Sequence, residues 1–133
     1  MAEYTRFFVV RSLEAVIVIH ESLNKNRQWA QTPYAGVEFS WLSEDSESGR
    51  SALLKFEKGA KLPLHFHPGW EQIYVLEGVL KVNGALYYAH DFVFVDAETS
   101  HELEAIEPSQ YITIAEKAGV TVVDNQSSIS PIE

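Results

Sequence analysis

The sequence predicts an all-β domain, a sandwich or barrel of short antiparallel strands. Three observations carry this. Apolar residues recur at period two, the spacing at which side chains of an extended chain share a face. Turn residues punctuate the chain every 8 to 12 positions, which leaves room for roughly nine or ten strands. No stretch keeps a 3.6-residue apolar period long enough for a convincing helix.

The elements follow in order. Residues 7–19, FFVVRSLEAVIVI, are rich in β-branched and aromatic side chains. They suit one or two strands broken near RSLE, with a short helix at SLEAV as the lesser alternative. HESLNKNRQW is a polar connector. In YAGVEFSWLSED, Val37, Phe39 and Trp41 alternate with Glu38 and Ser40, the pattern of a half-buried strand. Residues 43–50, SEDSESGR, form a charged turn of small residues. SALLKFEKG is a strand ending at Gly59. LPLHFH is a further extended piece, in which Pro63 has no N–H to donate and is expected at a strand edge. EQIYVLEG closes at Gly78, and VLKVNGALYY is a hairpin whose Asn83-Gly84 pair favours a type I′ turn. DFVFVD is a strand, AETSHELEAIE a turn running into a strand, and QYITIAEKAG a last clear strand with VTVV after it. DNQSSISPIE is polar and is expected as a tail. The chain therefore divides into an N-terminal strand segment, 1–28, packing on the barrel or on a dimer mate; a barrel, 29–123; and a polar tail, 124–133.

Composition removes several classes of function. The chain has 133 residues and is 46% hydrophobic, enough for one domain with a real core. Its net charge of −9 disfavours nucleic acid, whose phosphates need a basic face, and disfavours an anionic membrane surface. With no cysteine there is no disulfide, thiolate zinc site, iron–sulfur cluster or cysteine nucleophile. The apolar run 15–19 is too short to span a bilayer, and the N-terminus lacks signal-peptide features, so a cytoplasmic protein is expected. There is no G-x-S-x-G, and Ser100 beside His101 has no placed base. No glycine-rich phosphate loop is present.

One stretch concentrates chemistry. HFHPGWE, residues 65–71, holds two histidines one residue apart and a glutamate four residues later. On a strand, His65 and His67 point the same way. The same parity groups them with Lys61 and Pro63, and sets Leu62, Leu64 and Phe66 on the opposite face. After the Pro-Gly turn, Glu71, Ile73 and Val75 share one face, and Gln72, Tyr74 and Leu76 the other. If the two strands are neighbours, two imidazoles and a carboxylate converge. His101, after the strand DFVFVD and a short turn, is the best candidate for a fourth ligand. Metal site, acid/base pair and polar turn are all compatible with the short stretch alone.

The wider pattern adds a resemblance. Gly59, His65, His67, Glu71 and Gly78 match G-x5-H-x-H-x3-E-x6-G, the first motif of the cupin superfamily. The second cupin motif, G-x5-P-x-G-x2-H-x3-N, is similar in spacing only. His90 and Glu98 stand at its glycines, Asp96 at its proline and Ala105 at its asparagine, and His101 alone matches. Over residues 29–116 the chain resembles the ChrR-type cupin domain of zinc-binding anti-sigma factors and of stand-alone proteins. The resemblance implies a double-stranded β-helix (jelly-roll barrel) holding one divalent metal ion, zinc, iron, manganese or nickel, on His65, His67, Glu71 and His101. It leaves positions open for water or a small-molecule ligand. The helical zinc-binding domain usually fused to such cupins has no room here, so sigma-factor regulation is not carried over.

Two functions follow as expectations. One is a metal-dependent enzyme, a dioxygenase or isomerase, acting on a hydroxyketone, diketone or keto acid. The other is a non-catalytic metal or ligand sensor of the ChrR-like type. A structural cupin is a weaker third, because all four ligand positions are filled. A homodimer is expected, with residues 7–19 adding to a neighbour's sheet edge. His20 reads as a surface group, and His90 as exposed or rim-lining. Asp96, Glu98, Glu102 and Glu104 read as a solvated acidic face from which a carboxylate could accept a ligand histidine's N–H. Trp70, Tyr74, Phe92 and Phe94 read as core or dimer interface, and Phe39, Ile73 and Val75 as barrel lining.

Overall fold

The period-two segments fold as strands. A computed structural model describes the backbone of residues 3–10, 15–44, 49–123 and 129–131, and the side chains of residues 19–44 and 49–123. Among the described residues there are fourteen strands and one 3₁₀ turn, Asn24–Asn26. The strands are β1 (Glu3–Val10), β2 (Ala15–Ser22), β3 (Ala30–Gln31), β4 (Val37–Ser43), β5 (Arg50–Phe56), β6 (Lys61–Phe66), β7 (Glu71–Glu77), β8 (Val79–Val82), β9 (Ala85–Tyr88), β10 (Phe92–Val95), β11 (His101–Ala105), β12 (Ser109–Ala115), β13 (Thr121–Val123) and β14 (Ile129–Pro131). The expected break at RSLE, residues 11–14, lies outside the described residues, with β1 and β2 on either side of it. Within 43–50, residues 45–48 also lie outside them. Among the described residues no helix is long and apolar enough to cross a membrane.

Two six-stranded antiparallel sheets make the body. One runs β10-β7-β12-β5-β4-β3 and the other β14-β13-β6-β11-β8-β9, while β1 and β2 pair with each other. Ser22 at the end of β2 ties this hairpin to β4, its hydroxyl donating to the Trp41 carbonyl at 3.3 Å. Period-two side chains from both sheets meet in one core. Val37, Phe56, Ile73, Val75 and Tyr111 come from the first sheet, and Leu62, Leu80, Val82, Leu103 and Ala105 from the second. Burying side chains of this size contributes roughly 1.5–3 kcal/mol each for the larger ones, so the interface between the two sheets fixes the architecture, a jelly-roll barrel.

The register then places the site. Val75 lies opposite Tyr111, Ile73 opposite Thr113 and Glu71 opposite Ala115. Moving along β7 from Val75 to Glu71 therefore leads out of the apolar core and towards the polar end of the barrel.

The expectation for the parity of β6 needs correction. β6 lies between β13 and β11, but among the described residues Pro63 lies beyond the pairing with β13, so one side of it is open as at a sheet edge. Its missing N–H is accommodated by a bulge. His65 pairs with His101 and Leu62 with Leu103, so Pro63 and Leu64 together face Glu102 alone. β13 reaches only Phe66 and His65. The extra residue flips the parity: Leu62 points inward like His65, three positions on, and Leu64 is exposed.

The turns keep their shapes where the residue types changed. Asn83 (φ 47°) and Gly84 (φ 86°) make the expected type I′ turn. The Asn83 side chain ties this hairpin to the chain before β11, accepting from the Glu102 N–H at 2.9 Å and donating to the Ser100 carbonyl at 3.2 Å. His90 (φ 73°) and Glu98 (φ 60°), the residues at the two glycine positions of the second motif, hold the left-handed backbone that glycine would adopt. Gly78 has a double reason to be glycine. Its φ is 90°, and a Cβ there would lie 2.3 Å from the Pro108 carbonyl oxygen.

Candidate metal centre and cavity

The bulge in β6, the start of β7 and the start of β11 bring four side chains to one point. His65 and His67 come from β6 and the turn after it, His101 from β11, and Glu71 from the facing sheet. One donor atom from each lies within 4.8 Å of all the others, so the group could hold a metal ion. All four residues singled out in the sequence are in it. His65, Glu71 and His101 are buried, and His67 is partly so.

Each imidazole is oriented by a backbone carbonyl. His65 Nδ1 lies 2.7 Å from the Pro63 oxygen, His67 Nδ1 3.2 Å from that of Gly119, and His101 Nδ1 3.1 Å from that of Thr99. A carbonyl only accepts, so each Nδ1 carries a proton, and in the neutral ring Nε2 is left with a lone pair. Two of these lone pairs point at the same carboxylate oxygen. His101 Nε2 is 2.9 Å and His67 Nε2 3.2 Å from Glu71 Oε1. Acceptor facing acceptor at these distances requires positive charge between them, either a proton on each ring or a shared cation. The donor set, imidazole nitrogens with one carboxylate oxygen, suits a first-row divalent ion.

The electrostatics agree. Burial, reinforced by nearby His101, pushes the His65 pKa down to about 4, so its ring is neutral and ligand-ready at physiological pH. Burial alone would raise the Glu71 pKa, but hydrogen bonds from His101 and His67 outweigh it and hold the carboxyl well below the usual range. The second Glu71 oxygen accepts a short hydrogen bond from the Thr113 hydroxyl.

Thr113 was not singled out in the sequence. Its signal was there: in QYITIA it is the hydroxyl between Tyr111 and Ala115 on the inward face of β12. The carbonyl acceptors had no side-chain signal. They take the part expected of a carboxylate from the acidic cluster, and Asp96, Glu98 and Glu102 are exposed. Glu104 instead pairs with Lys81 at 3.5 Å. His90 is exposed and lies 2.9 Å from the Tyr74 hydroxyl.

The cluster forms part of the wall of a cavity of about 330 Å³. His65, His67 and Glu71 face it together with Phe39, Trp41, Leu54, Leu62, Tyr111 and Val120, among others, so most of the wall is apolar. Phe39 lines this cavity, while Ile73 and Val75 belong to the packed core.

A jelly-roll barrel with three imidazoles and a carboxylate at one end of its interior defines a cupin. The chain belongs to the ChrR cupin-like domain family, whose model matches residues 19–120. No curated protein matches it by sequence. Among solved structures it is similar to a provisionally assigned acetylacetone dioxygenase from Methylibium petroleiphilum PM1, at 17% identity and TM-score 0.73, over 83% of this chain and 85% of that one. An acetylacetone dioxygenase from Acinetobacter johnsonii matches at 18% identity and TM-score 0.67, over 84% and 82%. The Rhodobacter sphaeroides complex of SigE with the anti-sigma ChrR matches at 23% identity and TM-score 0.62, over 70% of this chain and 51% of that one. At these identities the likeness is one of fold.

Proposed function

We propose that His65, His67, Glu71 and His101 hold one divalent metal ion and that the protein is a metal-dependent enzyme, a dioxygenase acting on a small ketone-type substrate. The observation that carries this is the coincidence of the cluster with the apolar cavity: rings held by carbonyls, together with Glu71, form part of the wall of a space that a small molecule can enter. Bound there, a divalent ion would polarise a ketone oxygen and, if iron(II), support reaction with dioxygen. The protein supplies the rest. Thr113 fixes the Glu71 carboxylate, the three carbonyls fix the rings, and Phe39, Trp41 and Leu54 keep water from the reacting end of a bound ketone. The likeness to two acetylacetone dioxygenases in fold supports the substrate class by analogy alone. The test is oxygen uptake by the iron(II)-loaded protein with pentane-2,4-dione and a panel of hydroxyketones. Uptake that needs iron and disappears in His101→Ala supports the reading.

The family match favours a second reading, a non-catalytic sensor in which metal or ligand binding controls association with another protein. It requires no turnover with any metal on the same panel, and a ligand-dependent change in association.

We also infer a homodimer. Tyr74, Phe92, Phe94 and Ile114 are exposed on the outer face of the first sheet. Phe92 lies opposite Tyr74 and Phe94 opposite Gln72, so the aromatic side chains of β10 and β7 form one apolar strip.

A further inference from the structure

The cavity wall carries a cation that the metal chemistry does not use. Arg50 is the sole lysine or arginine among the described residues that line it. It opens β5, where it pairs with Ala115, and Ala115 pairs with Glu71 on the other side. Arg50 and Glu71 therefore occupy one row, two strands apart, about 10 Å between backbones at ordinary strand spacing. Period two puts Arg50 on the same face as Ala52 and Leu54, which also line the cavity.

Its guanidinium is held in place. Arg50 Cζ lies 4.4 Å from the centre of the Trp41 ring. Trp41 in turn meets Phe39 edge to face, ring centres 5.7 Å apart. A cation against an indole is attracted by the ring's quadrupole and loses little further freedom when a ligand arrives.

Several polar side chains of the cavity make hydrogen bonds within the protein. Gln31 donates to Glu38 at 2.9 Å, the Thr32 hydroxyl donates to the Val37 carbonyl at 2.8 Å, and Thr113 donates to Glu71. The acid in the cavity, Glu71, is engaged by His67, His101 and Thr113. A guanidinium offers five donors in a planar fork, enough to serve a protein acceptor and a ligand carboxylate together.

We propose that Arg50 makes the cavity selective for carboxylate-bearing ketones over neutral diketones. The ketone would face the histidine cluster, the carboxylate would meet Arg50, and an apolar body would lie against Phe39, Trp41 and Leu54. This rests on the reading of the cavity as the substrate site and narrows its substrate class to keto acids.

The test uses the zinc-loaded protein and two probes that share the ketone and the ring, the charged 4-oxo-4-phenylbutanoate and its neutral methyl ester, with affinities measured by calorimetry. The wild type is expected to bind the acid at least tenfold more tightly than the ester. Arg50→Gln is expected to bring the two to parity, and Arg50→Lys to restore part of the preference. Ester bound as tightly as acid by the wild type, or a preference that survives in Arg50→Gln, overturns the proposal and leaves the cavity reading intact. The wild-type comparison stands even if Arg50→Gln fails to fold. Binding of neither probe to the metal-loaded wild type overturns the proposal and the cavity reading together.

Discussion

His65 shows how burial prepares a ligand before any ion arrives. A neutral imidazole is required for coordination, and burial holds its pKa near 4, against 6.5 for the exposed ring. The sign of the linkage follows. Between these values the unfolded chain binds a proton that the folded chain refuses. The metal-free protein is therefore expected to keep the full contribution above pH 6.5 and to lose it as the pH falls towards 4. The gap is on the order of 3 kcal/mol. Denaturant titrations across this window check it, and His65→Asn should flatten the profile there. Thr113 gives a second test. Removing its hydroxyl in Thr113→Val leaves one Glu71 oxygen without its donor, and metal affinity should fall roughly 10- to 100-fold with the fold intact. Competition with a chromogenic chelator measures it. A variant that binds metal as tightly as wild type would show that Thr113 does not position the carboxylate.

Among the elements, the turns carry the departures from the cupin pattern. In HDFVFVDAETSHELEA the two motif glycines are His90 and Glu98, yet both keep positive φ, 73° and 60°. The loop before β11 therefore retains the form that delivers His101, and it is fastened by the Glu98 N–H to the His67 carbonyl at 2.8 Å. The cost is side-chain crowding in a left-handed conformation. Glu98→Gly relieves it, and after glycine's larger unfolded-state entropy is subtracted a gain of about 0.5–1 kcal/mol is expected, read as a higher denaturation midpoint. Much of this scale was legible in the sequence. The alternation in β4 and β7, the Asn83-Gly84 turn and the ligand spacing all follow from period two and turn chemistry. The bulge at Pro63 was not, because an inserted residue changes parity without changing composition. Arithmetic on residues 61–67 therefore put Leu62 on the wrong face. The carbonyls that hold the three rings were not legible either, since a backbone oxygen looks the same at every position. Arg50 was hidden for a third reason: its place in the same row as Glu71 depends on a register set through β12.

At the scale of the whole molecule, two packed sheets leave one end of their interior filled by side chains and the other open. The same arrangement leaves an apolar strip outside, on β10 and β7. If two copies pair across it, light scattering will give twice the chain mass of 15.0 kDa, and the double variant Phe92→Asp, Phe94→Asp will give the single mass with metal binding preserved. A monomeric wild type would remove the dimer from the account. The dioxygenase reading and the keto-acid proposal both presuppose an occupied metal centre. The most direct measurement is therefore the metal content, by elemental mass spectrometry, of wild type and His67→Ala purified in parallel without added metal. A divalent ion close to stoichiometric with the wild-type chain, and largely lost in the variant, is expected. A folded wild type that carries no ion, and takes up none when zinc, iron(II), manganese or nickel is supplied, would contradict it.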